Sequence, residues 1–272
     1  MKVSGKHVVV TGGSRGIGEA LAREFAGRGA RVTVVARSEE SLRRVATEIG
    51  GNAVVADLSD DRTVDTLIGR IEADHGAIDV LVNNAGLETN TPFAVEDPRE
   101  VRAVVRLNLE ASMLLTRHVL PGMLARGAGH VVLVSSLAGT AGFPGMSAYC
   151  GTKAGVLNFA SSLKRELHHT DVDITVLAPG PVDTRMWDAV EDSPPTVQQV
   201  VRRFKRLRLI PKTTPERIAR RTVAAVEKRR AFVRHPHRLS TNFWFNMLPT
   251  HISNAVIAGI KFDPLDRGRR HN

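Results

Sequence analysis

Short apolar runs alternate with segments of helical periodicity along most of this chain. The runs contain few polar residues, so the strands they predict must be covered on both faces, which is typical of parallel sheets. The helical segments supply the crossovers that parallel strands need. The sequence therefore predicts a single doubly wound α/β domain, with a parallel sheet of about seven strands and helices on both faces. The predicted strands are residues 7–10, 32–35, 53–56, 80–82, 131–134, 174–177 and 231–234.

Length and composition agree with one self-sufficient domain. A chain of 272 residues buries about three quarters of its extended surface on folding, so its core needs no covalent staple. The single cysteine, Cys150, excludes an intramolecular disulfide and fits a reducing compartment. The N-terminus runs into the first strand without an apolar leader segment. We therefore expect a cytoplasmic protein.

A glycine-rich segment follows the first predicted strand and opens the first predicted helix. At a helix N-terminus, free backbone N–H groups and the helix dipole attract a phosphate, and glycine leaves room for it to approach. A tight turn without a ligand is the alternative, but the position between a strand and a helix argues against it. The residues predicted to hold a dinucleotide here are Gly12, Ser14, Arg15, Gly16, Ile17 and Gly18.

Tyr149, the only tyrosine of the chain, lies four positions before Lys153. Residues four apart meet on one face of a helix, so a phenol and an ammonium are predicted to lie side by side. A nearby positive charge lowers the pKa of a phenol from about 10, which helps proton exchange near neutrality. Ser136 precedes the tyrosine at the end of a strand, whereas Ser135 would point to the opposite side. Tyr149 and Lys153 together indicate a proton donor and the charge that tunes it; a buried, purely structural role for each side chain is the alternative.

These motifs, in this order and spacing, resemble those of the classical short-chain dehydrogenase/reductase family. The resemblance spans roughly residues 6–184. It implies a Rossmann-type catalytic domain over residues 1–238, with a substrate lid at about 185–210 and a C-terminal extension at 239–272.

The resemblance also implies catalytic roles. Tyr149 would protonate the alkoxide that forms when a carbonyl receives hydride, and Ser136 would donate a hydrogen bond to the same oxygen. Lys153 would tune the phenol and bind the nicotinamide ribose. Asn108 resembles the asparagine that holds a water molecule between the lysine and solvent.

Further cofactor-binding residues follow from the same resemblance. Asp57 and Leu58 resemble the pair that contacts the adenine ring, although Asp57 could instead cap a helix or form a turn. The segment after the fourth strand resembles the motif that flanks the cofactor, and the segment after the sixth resembles the one that lies against nicotinamide. The residues implied in these two segments are Asn84, Ala85, Gly86, Pro179, Gly180, Val182 and Thr184.

The end of the second strand indicates a preference for NADP(H). An acidic residue at this position would bind the ribose hydroxyls of NAD, but the strand is followed by Arg37. A second guanidinium, Arg15, lies in the glycine segment, and two arginines can clamp a 2′-phosphate. The alternative is that both are ordinary surface arginines.

The net charge of +10 raises the question of nucleic-acid binding. Fourteen lysines and arginines lie between positions 202 and 238, against only two acidic residues. Phe204 and Phe232 are the only aromatic residues there, so the stacking platform of a single-strand binder is missing. We interpret this stretch as a solvated basic face and do not expect a nucleic-acid partner.

No metal site is predicted, and the C-terminal extension is too polar to span a membrane. His235 and His237 form a pair without a recognisable third ligand. The uncharged run 239–260 is long enough for a bilayer but contains many polar residues. Beside the basic stretch it could lie peripherally on an anionic membrane. Packing on its own domain, over the substrate pocket or in a subunit interface is the alternative that we favour.

The combined interpretation is an oxidoreductase: an NADPH-dependent carbonyl reductase or alcohol dehydrogenase that acts on a hydrophobic ketone or aldehyde. Met186, Trp187 and Val190 make the lid apolar, which favours 3-oxoacyl, steroid-like or other lipid-like substrates. The resemblance implies a homo-oligomer, a dimer or tetramer. The alternative function is a non-catalytic NADP-binding regulator or scaffold that has kept the fold, and turnover of ketones would distinguish the two.

Overall fold

A computed structural model describes residues 1–184, 195–206 and 212–235. Its seven strands form one sheet in the order β3-β2-β1-β4-β5-β6-β7, and every neighbouring pair is parallel. The predicted seven-stranded parallel sheet is therefore confirmed. The strands are β1 (His7–Thr11), β2 (Arg31–Ala36), β3 (Asn52–Val55), β4 (Val80–Asn83), β5 (Gly129–Val134), β6 (Val172–Pro179) and β7 (Phe232–His235).

Helices cover the sheet on both faces. Their bounds are α1 (Gly16–Gly27), α2 (Glu39–Ile49), α3 (Asp61–His75), α4 (Pro98–Val105), α5 (Ala111–Ala125), α6 (Ser147–Glu166), α7 (Pro195–Arg206) and α8 (Pro215–Glu227). A π-helical turn, Arg106–Glu110, joins α4 to α5. Short 3₁₀ turns lie at Phe93–Val95 and Leu137–Gly139.

Two apolar layers hold the sheet between the helices. Val8 and Val10 of β1 pack with α1, α2 and α8 on one face, and Val9 packs with α3, α5 and α6 on the other. This alternation follows from the period of two in a strand. It explains why most strand residues are apolar, since both faces of the sheet are covered by helices.

Side-chain caps fix where several helices begin. Asp60 accepts a hydrogen bond from the backbone N–H of Thr63 at the start of α3, at 3.0 Å. Thr214 accepts one from Arg217 at the start of α8, at 3.3 Å. Ser38 occupies the position before α2, as a cap would, but its hydroxyl accepts from the hydroxyl of Ser41 instead of from the backbone.

Parts of the sequence prediction concern residues that the structure does not describe. Of the lid at 185–210, only α7 lies within the described residues; Met186, Trp187 and Val190 lie outside them, as does the extension 239–272. The division into a domain at 1–238 and an extension therefore stays a prediction. Within the described ranges, no helix is both long and apolar enough to cross a bilayer.

Candidate active site

A cleft of about 1440 Å³ opens at the carboxyl ends of the strands. Strands β1 and β4 are neighbours in the sheet, but the helices that follow them pack on opposite faces: α1 follows β1, and α4 and α5 follow β4. The cleft lies at this switch point, where ligands bind in such sheets. Every predicted cofactor residue lines this cleft: Gly12, Ser14, Arg15, Gly16, Ile17, Gly18, Arg37, Asp57, Leu58, Asn84, Ala85, Gly86, Tyr149, Lys153, Pro179, Gly180, Val182 and Thr184. Ser136 lines it as well, and Asn108 lies behind its wall.

The glycine segment forms an anion-binding end of the cleft. Gly12 and Gly16 have φ values of 66° and 59°, a left-handed conformation that side-chain-bearing residues rarely adopt. The residue before α1, Arg15, provides no side-chain cap, so the first N–H groups of the helix are left for a ligand. These donors and the helix dipole fit the phosphates of a dinucleotide.

Thr11 joins the glycine segment to the loop after β4. Its hydroxyl accepts hydrogen bonds from the backbone N–H groups of Asn84 and Ala85, at 2.9 and 3.1 Å. The amide of Asn84 donates in return to the carbonyl oxygens of Thr11 and Gly12, at 2.9 and 3.3 Å. The two loops that flank the proposed cofactor site are therefore locked together. Sequence reasoning missed Thr11, because threonine at a strand end has no distinctive signal.

The segment after β6 closes the opposite wall of the cleft. The N–H of Gly180 donates to the carbonyl of His235 at 2.6 Å, and Val182 forms a parallel bridge with Thr213. These contacts bring Thr184 to the glycine segment, where a Cβ added at Gly16 would lie 3.4 Å from its methyl group. The segment after β6, which is proposed to lie against nicotinamide, therefore forms one continuous wall with the glycine segment.

Ser136, Tyr149 and Lys153 come together on the wall formed by the end of β5 and by α6. The side chains of Ser136 and Tyr149 interact, and this contact lowers the pKa of the phenol. The ammonium of Lys153 lies 5.7 Å from the centre of the Tyr149 ring and donates to the carbonyl of Val134 at 3.0 Å. Ser135 points away, as predicted, and donates to the backbone carbonyl of Lys153 at 2.8 Å.

Burial governs the protonation of this group. Tyr149 and Lys153 are 7% and 4% exposed. Burial raises the pKa of the Tyr149 phenol, although the contact with Ser136 opposes this, and burial lowers the pKa of Lys153 to about 8. The predicted lowering by the ammonium therefore does not decide the net pKa of the phenol in this structure, because loss of solvent raises that pKa by more. The phenol is protonated at neutral pH.

Asn108 connects the loop after β4 to α6. It is 1% exposed and lies in the π-helical turn. Its Oδ1 accepts from the N–H of Leu87 at 2.7 Å, and its Nδ2 donates to the carbonyl of Leu87 at 2.8 Å and to the hydroxyl of Thr152 at 3.2 Å. A Cβ at Gly86 would lie 3.1 Å from this Oδ1 and 3.5 Å from Lys153 Nζ. Asn108 thus fixes the backbone beside the lysine; its role in holding water stays a prediction.

The adenosine end of the cleft carries exposed arginines. Arg37 is 3.8 Å from the carboxylate of Asp57. Asp57 does not cap α3; it accepts hydrogen bonds from the N–H and hydroxyl of Ser59, at 2.9 and 2.6 Å. Arg15 forms no ion pair with any described residue and lines the cleft from the glycine segment. Further cleft residues that sequence reasoning did not name are Ser38, Ser41, Arg44, Leu87, Glu88, Phe143 and Met146.

The structure also describes the surroundings of Cys150, the single cysteine, and of His235, one of the two paired histidines. Cys150 is half-buried and burial raises the pKa of its thiol, which argues against a nucleophile. His235 accepts a hydrogen bond from Arg221 at 3.0 Å. Among the described residues, no group of three or more His, Cys, Asp or Glu side chains is arranged to hold a metal ion.

Comparison with known proteins decides the family. The family model for short chain dehydrogenases matches residues 6–195, the region that contains strands β1 to β6, most of the cleft lining and the Ser136, Tyr149 and Lys153 group. The chain belongs to the short-chain dehydrogenase/reductase family. Members of this family are oxidoreductases that bind a nicotinamide cofactor, and they typically form oligomers.

Several relatives and solved structures of the short-chain dehydrogenase/reductase family are similar to this protein. The 3-oxoacyl-[acyl-carrier-protein] reductase FabG of Escherichia coli K12 is 32% identical over 71% of this chain and 80% of its own. The ketoacyl reductase HetN of Nostoc is 37% identical over 68% of each chain.

Among solved structures, a metagenomic short-chain oxidoreductase in complex with NADP is 32% identical, with a TM-score of 0.69 over 86% of this chain and 98% of its own. A short-chain dehydrogenase from Streptomyces avermitilis is 26% identical, with a TM-score of 0.77 over 93% of this chain and 96% of its own.

Proposed function

We propose that this protein is an NADPH-dependent carbonyl reductase that reduces a hydrophobic ketone or aldehyde, with 3-oxoacyl compounds as the leading class. The observation that carries the proposal is the arrangement of Ser136, Tyr149 and Lys153 in one cleft with an anion-binding helix N-terminus. That arrangement places a buried, protonated phenol next to a site for a dinucleotide. The reverse reaction, oxidation of an alcohol, would use the same residues.

The side chains have separate tasks in this reaction. The bound reduced cofactor supplies a hydride to the carbonyl carbon. Tyr149 donates its proton to the carbonyl oxygen as negative charge develops there, and Ser136 donates a hydrogen bond to that oxygen. The high pKa of the buried phenol suits it to act as an acid. It also means that the phenolate left behind is costly inside the cleft and needs support.

Lys153 supplies that support. At neutral pH its ammonium is charged, because its pKa of about 8 lies above neutrality. Its positive charge, 5.7 Å from the ring centre, stabilises the phenolate that forms when Tyr149 gives up its proton. Asn108 positions the lysine indirectly, by fixing the backbone of Leu87 next to Gly86.

The preference for NADPH rests on the adenosine end of the cleft. Arg15 and Arg37 both line it, and guanidinium groups bind a phosphate with paired hydrogen bonds. Arg37 would exchange its long contact with Asp57, an exposed pair of small energetic worth, for the 2′-phosphate. The NADP complex of the similar metagenomic oxidoreductase supports the same preference.

The apolar substrate class rests on the walls around Tyr149. The side chains there are Leu87, Leu137, Ala138, Phe143 and Met146, with the carboxyl of Glu88 as an exception. Such walls favour a ligand with little charge. The names of the similar FabG and HetN proteins, a 3-oxoacyl and a ketoacyl reductase, indicate the first compounds to test.

Replacement of Tyr149 by phenylalanine tests the proposal. We expect kcat for ketone reduction to fall by roughly 10² to 10⁴, the usual contribution of a general acid, while NADPH binding measured by fluorescence stays near wild type. Because Tyr149 is the only tyrosine, an absorbance titration reports its ionisation alone, and we expect little tyrosinate below pH about 10. A variant that keeps most of its activity would remove Tyr149 from the mechanism.

A further inference from the structure

The loop after β4 brings one carboxyl group into the apolar part of the cleft. Glu88 lines the cleft together with Tyr149, and its negative charge acts on the phenol. One of its carboxyl oxygens, Oε1, is buried and has no hydrogen-bond partner in the described part of the chain. A buried polar atom without a partner is costly, so this carboxyl is stabilised when it is uncharged, or when its side chain rotates and bonds to a ligand in the cleft.

The fold holds this carboxyl in place. The backbone of the preceding residue, Leu87, makes two hydrogen bonds with Asn108, at 2.7 and 2.8 Å. Asn108 is in turn tied to Thr152 of α6, whose hydroxyl donates to the carbonyl of Tyr149 at 2.8 Å. The loop that carries Glu88 and the helix that carries Tyr149 are therefore connected, and the distance between the two side chains is set by packed structure.

The surroundings of Glu88 favour its uncharged form. Burial raises its pKa to about 7, and the amide of Asn90 beside it opposes this only in part. Of the titratable groups of helix α6, Tyr149 and Lys153 line the cleft with Glu88. None of the described cations pairs with Glu88, and the Lys153 ammonium donates to a backbone carbonyl instead. An apolar substrate would displace more water and favour the neutral form further.

We propose that Glu88, as a neutral carboxylic acid, donates a hydrogen bond to a second carbonyl oxygen of the substrate and so selects 3-oxoacyl esters and thioesters over simple ketones. The inference rests on the proposed carbonyl reductase function and narrows its substrate class. In a 3-oxoacyl group the second carbonyl is separated from the reacting one by a single methylene. Glu88 lines the same cleft as Tyr149, so we infer that it contacts that oxygen while the phenol contacts the reacting one. An uncharged carboxyl has one O–H donor, which this oxygen would satisfy.

The test compares two ketones of equal length. Ethyl acetoacetate and heptan-2-one have the same number of chain atoms, and only the first has a second carbonyl. We expect the ratio of their kcat/KM values to fall about tenfold in Glu88→Leu, which corresponds to about 1.4 kcal/mol. Glu88→Gln, which keeps an N–H donor, should retain most of the ratio. Glu96→Gln is the matched control, because Glu96 is a buried carboxyl of the same loop that does not line the cleft.

The pH dependence separates the two protonation states. The wild-type ratio should decline as pH rises through about 7, because an ionised carboxylate cannot donate, whereas the Glu88→Gln ratio should not change with pH. If Glu88 instead accepts a hydrogen bond as a carboxylate, 4-hydroxybutan-2-one would be preferred over pentan-2-one, increasingly at higher pH. That result would overturn the proposal.

A binding measurement keeps this test independent of turnover. The affinity of each ketone is measured by calorimetric titration into the protein in the presence of NADP⁺. The ratio of the two affinities should be about tenfold lower in Glu88→Leu than in the wild type. Lack of turnover with every ketone would contradict the proposed function, while the binding ratio would still test Glu88. An unchanged ratio in Glu88→Leu, or an equal loss in Glu96→Gln, would refute the role of Glu88 alone.

Discussion

Replacement of Gly18 by alanine tests how the glycine segment is locked to the loop after β4. A Cβ at this position would lie 2.2 Å from the carbonyl oxygen of Gly12 and 2.4 Å from Nδ2 of Asn84. Neither atom is free to withdraw, because the Asn84 amide donates to the backbone carbonyls of Thr11 and Gly12. The added methyl group must therefore push the two loops apart.

The cost can be worked from these contacts. Overpacking of a rigid site costs typically about 1–3 kcal/mol. Weakening of the two hydrogen bonds from Asn84 adds roughly 1 kcal/mol. We therefore expect Gly18→Ala to lower the free energy of unfolding by about 2–4 kcal/mol. For a chain of this size, each kcal/mol corresponds to a fall in Tm of roughly 2–4 °C.

Gly27 provides the matched control in the same helix. A Cβ at Gly27 would meet nothing within 4 Å, and the residue is exposed. Alanine restricts the unfolded chain, so Gly27→Ala should leave the stability unchanged or raise it by up to about 1 kcal/mol. Both variants replace a helical glycine by alanine, so the change in helix propensity is the same. Only in Gly18→Ala does the added methyl group meet a steric obstacle.

Urea unfolding followed by circular dichroism gives both stabilities, and fluorescence titration gives NADPH affinity. Gly18→Ala should lose affinity as well as stability, because the loops that move apart carry the proposed phosphate donors. Equal stability of Gly18→Ala and Gly27→Ala, or wild-type NADPH affinity in a clearly destabilised Gly18→Ala, would refute this reasoning.

Three further predictions concern charge. Replacing both Arg15 and Arg37 by alanine should weaken NADPH binding by a few kcal/mol and leave NADH little changed; equal losses for both cofactors would contradict the phosphate clamp. Lys153→Ala should lower both kcat and NADPH affinity, and loss of only one of them would contradict its double role. Burial lowers the pKa of His130 to about 3, below the unfolded value of about 6.5, so the folded state excludes a proton that the unfolded state binds. The contribution of neutral His130 to stability should therefore be complete above pH about 6.5, and it should be lost toward pH 3 by at most roughly 1.4 kcal/mol per pH unit. Urea unfolding of His130→Gln should show a smaller loss of stability at low pH. An identical pH profile of the variant and the wild type would exclude His130 as a cause of the loss.

The sheet and the cofactor end of the cleft could be predicted because their signals are local. Each strand is an apolar run whose limits in the structure differ from the predicted ones by only one or two residues. The glycine segment carries its own evidence, since a strand before it and a helix after it place it at a helix N-terminus. Tyr149 and Lys153 share a helical turn, so their proximity also followed from spacing alone.

The contacts of Asn108 could not be predicted in the same way. Its side chain bonds to Leu87, far away in sequence, and to Thr152 on another helix. That geometry depends on a π-helical turn, which has no clear sequence pattern. Glu88 had a weak signal, a single carboxyl between the β4 motif and an otherwise uncharged segment, and its meaning emerges only when the loop is seen beside Tyr149.

Burial acts in one direction on three titratable groups that line the cleft, and this is why helical spacing alone did not predict the net pKa of the phenol. It favours the uncharged forms of Tyr149, Glu88 and Lys153. For Tyr149 the uncharged form is the proton donor of the proposed carbonyl reduction, and for Glu88 it is the hydrogen-bond donor of the proposed substrate selection, so the same loss of solvent favours both proposed roles. Lys153 alone must stay charged although burial favours its neutral form, and its pKa of about 8 is only slightly above neutral pH. The charge of the lysine is therefore the feature on which support of the phenolate, and with it the reverse oxidation, depends most closely.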